Sequence, residues 1–375
     1  MKHLTGIKHV PKFFLAVFIF SLVACGQPDQ TGNAFETFEI RRGTNIAHFL
    51  SQSDKRGDER AAFFTREDVQ LIDSLGFDHI RLPIDEEQMW DENMQQHTEA
   101  FELLHNAIGW CRETGLRVIV DLHILRSHHF NEGEKPLWTD RKEQEKFFDL
   151  WRDLSAELSQ YPVGMVAYEL MNEAVADDPA LWNRLIDEAT AVLRGLEPER
   201  IIVIGSNRWQ SVDTFDDLEI PEEDPHILLS YHYYSPFALT HHQASWTGIR
   251  AYDGPVQYPG QVVKEEDLEG WPDELAQQMR WAGTYFTIDT IRKQMRKPVE
   301  YARERNLPVY CGEFGVYSPA PREDALRWYN DMITVMEEMG VAWANWCYKG
   351  SFGIFDKNGE VDQELMDIFF QNAEK

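Results

Sequence analysis

Residues 165–173 read Met165-Val166-Ala167-Tyr168-Glu169-Leu170-Met171-Asn172-Glu173, a strand-length, largely apolar run that ends in polar and acidic side chains. Its apolar part is near-continuous rather than alternating, the pattern of a parallel strand buried on both faces. The same kind of run recurs along the chain, at Phe38–Ile46, Asp78–Ile84, Arg117–His123, Met165–Asn172, Arg200–Ser206, His226–Tyr234, Pro308–Phe314 and Ala342–Tyr348. Amphipathic stretches of helical spacing separate them: Arg66–Leu75, Thr98–Thr114, Lys142–Ser159, Ala180–Leu196, Thr287–Asn306 and Pro321–Met339, with Gln363–Asn372 closing the chain. Eight such strands, mostly alternating with helices, predict an α/β protein with a single (β/α)8 TIM barrel over residues 37–375. A doubly wound open sheet is the structural alternative, but its usual ligands need a glycine-rich turn after the first strand, and the sequence has none.

One connection is far longer than an ordinary barrel loop. Ser235 to Phe286 carries Phe237, Trp246, Tyr252, Tyr258, Trp271, Trp281 and Tyr285. A long loop so rich in aromatics reads as an ordered excursion over the barrel mouth after strand 6.

The 375 residues include 36 Lys and Arg against 64 Asp and Glu, a formal charge of −28. That surplus of acids repels polyanions and leaves no role for nucleic acid; a neutral or cationic partner is expected. Residues 1–24 pair Lys2, Lys8 and Lys12 with the apolar run Phe13–Phe20, the pattern of a secretory signal peptide. The run is about half of the roughly 20 residues that a membrane span needs. Leu22-Val23-Ala24-Cys25 resembles a bacterial lipobox, which would make Cys25 the lipidated N-terminus, residues 25–36 the anchor and tether, and the product an exported protein held on the cell envelope. A plain signal cleaved nearby is the alternative. The only membrane contact expected is through that lipid, and removal of the three lysines would take the charge from −28 to −31. Cys111, Cys311 and Cys347 are an odd set without a C-x-x-C pair, so buried thiols are expected rather than a disulfide framework.

Barrel enzymes carry their reacting groups at the C-terminal ends of strands. Glu173 closes the fourth run and Glu313 lies in the seventh, within Tyr310-Cys311-Gly312-Glu313-Phe314-Gly315. Two carboxyls facing each other across a barrel mouth are what glycoside hydrolysis needs, one protonated for the leaving oxygen and one ionised. Either glutamate alone, in a chain of 64 acids, reads as readily as a salt-bridging or capping residue.

Seven motifs in order, covering nearly all of the barrel region, resemble glycoside hydrolase family 5, the cellulase family. They are Arg42-Gly43-Thr44-Asn45, Gly76-Phe77-Asp78-His79-Ile80-Arg81-Leu82-Pro83, Asp121-Leu122-His123, Met171-Asn172-Glu173, Tyr231-His232-Tyr233-Tyr234, Gly312-Glu313-Phe314-Gly315 and Trp343-Ala344-Asn345-Trp346. The resemblance implies Glu173 as general acid/base and Glu313 as nucleophile. It places Asn172 on the sugar 2-hydroxyl and Arg81 beside Glu313, where a cation would hold that carboxyl ionised. Tyr234 would orient Glu313, His123 and His232 would line the subsite of the reacting sugar, and Trp346 would stack on a pyranose. Trp209 is a candidate for a neighbouring subsite. Against these stand structural readings: Arg81 as partner of an acid at the barrel base, His232 as a satisfied core histidine, and Trp343 as core rather than platform.

The chain departs from the family pattern at Ala174, where proline is the commonest choice, and in the excursion containing Thr240-His241-His242-Gln243-Ala244-Ser245-Trp246. The resemblance implies a retaining β-glycosidase on a neutral β-linked polysaccharide, with an endo-β-1,4-glucanase as the first expectation. β-Mannanase, xyloglucanase and β-1,3-glucanase stay open. A non-catalytic carbohydrate-binding lipoprotein and a lipoprotein esterase are rivals from other classes, the latter without a Gly-x-Ser-x-Gly elbow. No cofactor or metal is expected: His123, His128 and His129 have no metal-site spacing, and Asp356-Lys357-Asn358-Gly359-Glu360 reads as a turn rather than a calcium loop.

Overall fold

A computed structural model describes Met1, His3 and residues 35–371. The remainder of the signal segment, Cys25, most of the tether and Asn372 lie outside the described residues. Within them, no helix is long and apolar enough to cross a membrane.

Eight parallel strands close into a barrel: β1 (Arg42–Asn45), β2 (His79–Asp85), β3 (Arg117–Ile124), β4 (Val166–Glu169), β5 (Ile202–Gly205), β6 (Ile227–Tyr233), β7 (Val309–Phe314) and β8 (Ala342–Asn345). Each pairs with its neighbours in chain order and β1 closes on β8, as in the register Gly43↔Ala344. Flanking helices are α1 (Arg66–Leu75), α2 (Thr98–Thr114), α3 (Arg141–Leu158), α4 (Pro179–Leu196), α5 (Ile288–Glu304), α6 (Arg322–Met339) and α7 (Gln363–Phe369). After β5 the chain makes no long helix, only the short turn Asn207–Gln210 and a 3₁₀ turn, Val212–Asp217. The helix signals are local. Thr65 and Asp68 form a capping box at the start of α1, which stops at Gly76 with φ of 98°. Asp140 caps α3, and Asp178 caps α4 ahead of Pro179.

Strand alternation sends every second side chain into the barrel. One interior layer is Ile119, Ala167, Val203, Leu228, Tyr310 and Ala344, packed with Phe38 and Ile40 from the segment before β1. His79 fills the same level and bonds Tyr310; a Cβ on Gly43 would stand 2.3 Å from its ring, so β1 needs glycine there. Two residues further along, the interior turns polar, and there the site begins. The outer faces of the strands pack on the helices: Trp343 is core, 5.5 Å from Phe314 and 5.2 Å from Phe369.

The excursion is ordered, but only its first part stands at the mouth. Phe237–Thr240 is a helical turn beside β7, with the Tyr317 amide donating to the Thr240 carbonyl at 2.8 Å. Beyond it, helix Asp273–Ala282 and the ribbon Gly260–Gln261/Tyr285–Phe286 form a small structure of their own. This part grips the flank of the barrel: Tyr258 donates its backbone amide to Asp324 and its hydroxyl to Asp331, both on α6. The three cysteines of the described residues are buried and free.

Candidate active site

Above the apolar layer, Asn45, Arg81, Asp121 and Glu169 point inward from β1 to β4 and are fully buried. Arg81 is the hub. Its Nε donates to Glu169 Oε2 at 2.6 Å, and Nη2 reaches Glu169 Oε1 at 3.1 Å, Asn172 Oδ1 at 2.9 Å and Asp121 Oδ2 at 2.9 Å. Nη1 donates to Asn45 Oδ1 at 2.9 Å and Glu313 Oε1 at 2.7 Å. The planar fork suits this set, because its five N–H groups lie in fixed directions and none is left without an acceptor. Arg81 is therefore both a partner of buried acids and a neighbour of Glu313.

Glu173 lies four residues past the end of β4, on a loop where its own φ is 45°. Gln210 holds that loop: its Oε1 accepts from the Glu173 amide at 2.9 Å, while its Nε2 donates to Ser230 Oγ at 3.0 Å and Glu169 Oε1 at 3.2 Å. Gln210 can enter because β5 ends in Gly205, whose Cβ would lie 2.3 Å from the Gln210 side chain. His232 stands between the glutamates, its Nδ1 2.9 Å from Glu173 Oε1 and 3.5 Å from Glu313 Oε2. Tyr234 donates its hydroxyl to Glu313 Oε2 at 2.9 Å. A carboxyl oxygen of Glu173, one of Glu313 and a ring nitrogen of His232 all fall within 4.8 Å of one another. Among the described residues this is the one His, Cys, Asp and Glu group close enough to hold an ion, and it consists of the facing glutamates themselves. His128 is elsewhere, its Nε2 accepting from the Val175 amide.

Burial pushes both facing carboxyls up. Glu173 rises well above the ordinary glutamate value through burial and then the charge of Glu313. Glu313 is also raised by burial, with Arg81, His123 and the Tyr234 hydroxyl pulling it back. Arg81 donates to Glu313 and pulls its carboxyl down, as the sequence reading expects, but desolvation outweighs a cation that is shared with Asp121 and Glu169. The proton belongs on Glu173, which lacks the direct hydrogen bonds from Arg81 and Tyr234 that its partner has. Burial lifts Asp121 to about 7, against the pull of Arg81, and raises Glu169 as well. Burial opposes the Arg81 charge, but Asp121, Glu169 and Glu313 together keep the guanidinium well above its ordinary value. His232 is driven well below its usual value by burial and then by Arg81, and His123 falls to about 4 mainly by burial, so both rings are neutral at pH 7.

His123 is oriented by Asp121 Oδ2 at 2.7 Å and stacks on Trp346, with centroids 5.5 Å apart and planes 6° from parallel. Asn172 gives its oxygen to Arg81, and its buried Nδ2 makes no hydrogen bond within the protein. Trp209 is 44% exposed at the mouth, and its indole N–H donates to the Phe130 carbonyl at 3.2 Å. The structure thus gathers Glu173, Glu313, Arg81, Asn172, His232, Tyr234, His123 and Trp346 into one constellation, with Trp209 on its rim. Sequence reasoning gave no role to Asn45, Asp121, Glu169 or Gln210. A charged Glu169 inside an apolar run was a usable signal, since a buried charge must be paired; Gln210 carried none.

Residues 43–351 match the family model of cellulase, glycosyl hydrolase family 5. Endoglucanase C of Acetivibrio thermocellus is 30% identical over 336 residues, covering 88% of this chain and 97% of that protein. Cellodextrinase A of Ruminococcus flavefaciens is 28% identical over 307 residues, covering 81% of this chain and 84% of that protein. The solved structure of Thermotoga maritima Cel5A in complex with cellobiose shares the fold, with a TM-score of 0.70, 23% identity, and coverage of 90% of this chain and 99% of that one.

Proposed function

Because the chain belongs to the cellulase family, glycosyl hydrolase family 5, and is a glycoside hydrolase, we propose that it cuts internal β-1,4 bonds of a neutral glucan with retention of configuration. Glu173, protonated in its buried setting, gives its proton to the glycosidic oxygen as the bond to the anomeric carbon breaks. Glu313 attacks that carbon from the opposite face and forms a glycosyl ester. Glu173, now ionised, takes a proton from water, whose oxygen adds to the anomeric carbon and releases Glu313.

The observation that carries this reading is the proximity of the two carboxyls, with oxygens within 4.8 Å. Retaining glycosidases hold the pair about 5–5.5 Å apart, whereas inverting enzymes need about 6.5–9.5 Å to admit water between them. The free Nδ2 of Asn172 supports a contact to the sugar 2-hydroxyl, and the His123–Trp346 stack offers a wall of apolar rings to the same sugar. Product analysis on glucan, xyloglucan, mannan and laminarin tests the assignment. A ladder of oligosaccharides from β-1,4-glucan is expected; release from mannan or laminarin alone, or of one short product from chain ends, would replace it.

From the sequence of residues 1–25 the protein is further proposed to be exported and lipid-anchored through Cys25. Metabolic labelling with a radioactive fatty acid should mark the wild type and leave Cys25→Ser unmarked; equal labelling of both would remove Cys25 from this role.

A further inference from the structure

The loop that carries Glu173 is tied down at four successive residues. Gln210 accepts from the Glu173 amide, and the Trp209 amide donates to the Ala174 carbonyl at 3.2 Å. His128 Nε2 accepts from the Val175 amide at 3.2 Å. Asn207 takes both polar groups of Ala176: its Oδ1 accepts from the amide and its Nδ2 donates to the carbonyl, each at 2.9 Å. Three of these four ties come from the turn Asn207–Gln210 that follows β5. Ala174 does not stiffen the loop as a proline would by fixing φ, so its conformation depends on the ties.

The turn that supplies them is itself strained. Arg208, Trp209 and Gln210 follow one another at φ of 54°, 61° and 51°, in the left-handed region that non-glycine residues avoid. Such a run persists only where its surroundings over-determine it, and it is characteristic of functional sites. Asn207 provides that hold at the head of the turn. It is buried; the Thr214 hydroxyl donates to its carbonyl at 2.7 Å, and its side-chain amide is taken up by Ala176. A side-chain amide matched to a backbone donor and acceptor fixes both the distance and the orientation of the two segments. We propose that Asn207 is a positioning residue for the general acid/base: by locking Ala176 to the turn after β5, it holds the Glu173 carboxyl where it can protonate the leaving oxygen. The inference rests on the acid/base assignment of Glu173 above, and its test separates the two.

The readout is the leaving group. A 2,4-dinitrophenyl cellobioside releases a stable phenolate and needs little proton donation, whereas a phenyl cellobioside needs the acid. Values of kcat/KM on both are compared for wild type, Asn207→Ala, Asn207→Asp and Glu173→Ala, with thermal melts to check folding. Asn207→Ala should lose about tenfold on the phenyl substrate and stay within about twofold of wild type on the dinitrophenyl one. Asn207→Asp keeps the shape and the acceptor but, when ionised, cannot donate to the Ala176 carbonyl. It should show the same selective loss, and it carries the comparison where the alanine variant does not fold. Equal losses on both substrates would make Asn207 a scaffold residue, and no loss on the phenyl substrate would leave Glu173 positioned without it. Either result overturns the proposal and leaves the glucanase reading in place. Glu173→Ala should show the same selectivity, with a loss of about a hundredfold or more on the phenyl substrate. Equal losses in that variant would overturn Glu173 as the acid, and this proposal with it.

Discussion

Arg81 Nη1 and Glu313 Oε1 are joined across the barrel at 2.7 Å, and the same guanidinium holds Asp121, Glu169, Asn45 and Asn172. The pair is thus one arm of a buried network. What Arg81 supplies is geometry for the whole mouth as much as charge for one carboxyl.

Removing the hub leaves buried acids unpaired. Arg81→Met should destabilise the fold by about 3–5 kcal/mol, read from denaturant midpoints, and abolish activity. Arg81→Lys should also be inactive, because a point charge cannot serve acceptors spread around a planar fork.

The pH profile follows from the facing carboxyls. In kcat/KM, activity should rise as Glu313 ionises and fall as Glu173 loses its proton. Burial raises both, so both limbs should lie above the ordinary glutamate value, the alkaline one furthest. Tyr234→Phe removes a hydrogen bond that favours ionised Glu313, so its acidic limb should move to higher pH; an unmoved limb would separate Tyr234 from that carboxyl.

Stability should fall as pH rises through neutrality. Burial lifts Asp85 to about 6 and Asp121 to about 7, above the value of about 3.9 for an unfolded aspartate. The folded state therefore holds more protons, and the contribution of these groups is complete below about pH 4 and lost as pH climbs through 6 and 7. Each such group lowers stability by about 1.4 kcal/mol per pH unit within its window. Calorimetric melts from pH 5 to 8 should show the decline, and Asp121→Asn should make it shallower.

Gln210 positions Glu173 through the backbone and touches no substrate in the proposed mechanism. Gln210→Ala should lower kcat about tenfold with little change in KM and leave a buried Glu169 oxygen short of a donor. Gln210→Glu, isosteric but unable to donate when ionised, should not restore activity.

The order of strands and the position of both glutamates were legible because buried parallel strands write themselves as apolar runs ending in polar residues. Strand ends were less so: the run Met165–Asn172 is strand only from Val166 to Glu169; Leu170 still donates to the Val203 carbonyl of β5 and Asn172 to the Leu122 carbonyl of β3, and Glu173 is held by Gln210 instead. Gln210 was invisible because its contacts cross between strands and depend on the missing side chain of Gly205. The net shift of Glu313 was not legible for a related reason. One Arg-Glu pair can be inferred from motifs, but the sharing of Arg81 among three carboxyls, and the depth at which they sit, exist only in the folded barrel. The excursion's aromatics announced order, yet its division between mouth and flank depended on Tyr258 reaching α6.

The central claim, that Glu313 attacks the anomeric carbon while Glu173 serves as acid, is tested most directly by trapping. The enzyme is incubated with a 2-deoxy-2-fluoro-cellobioside bearing a good leaving group, and the labelled peptide is located by mass spectrometry. The expected result is one fluorocellobiosyl group on Glu313; a label on another residue, or turnover to the inverted anomer with no adduct, would contradict it.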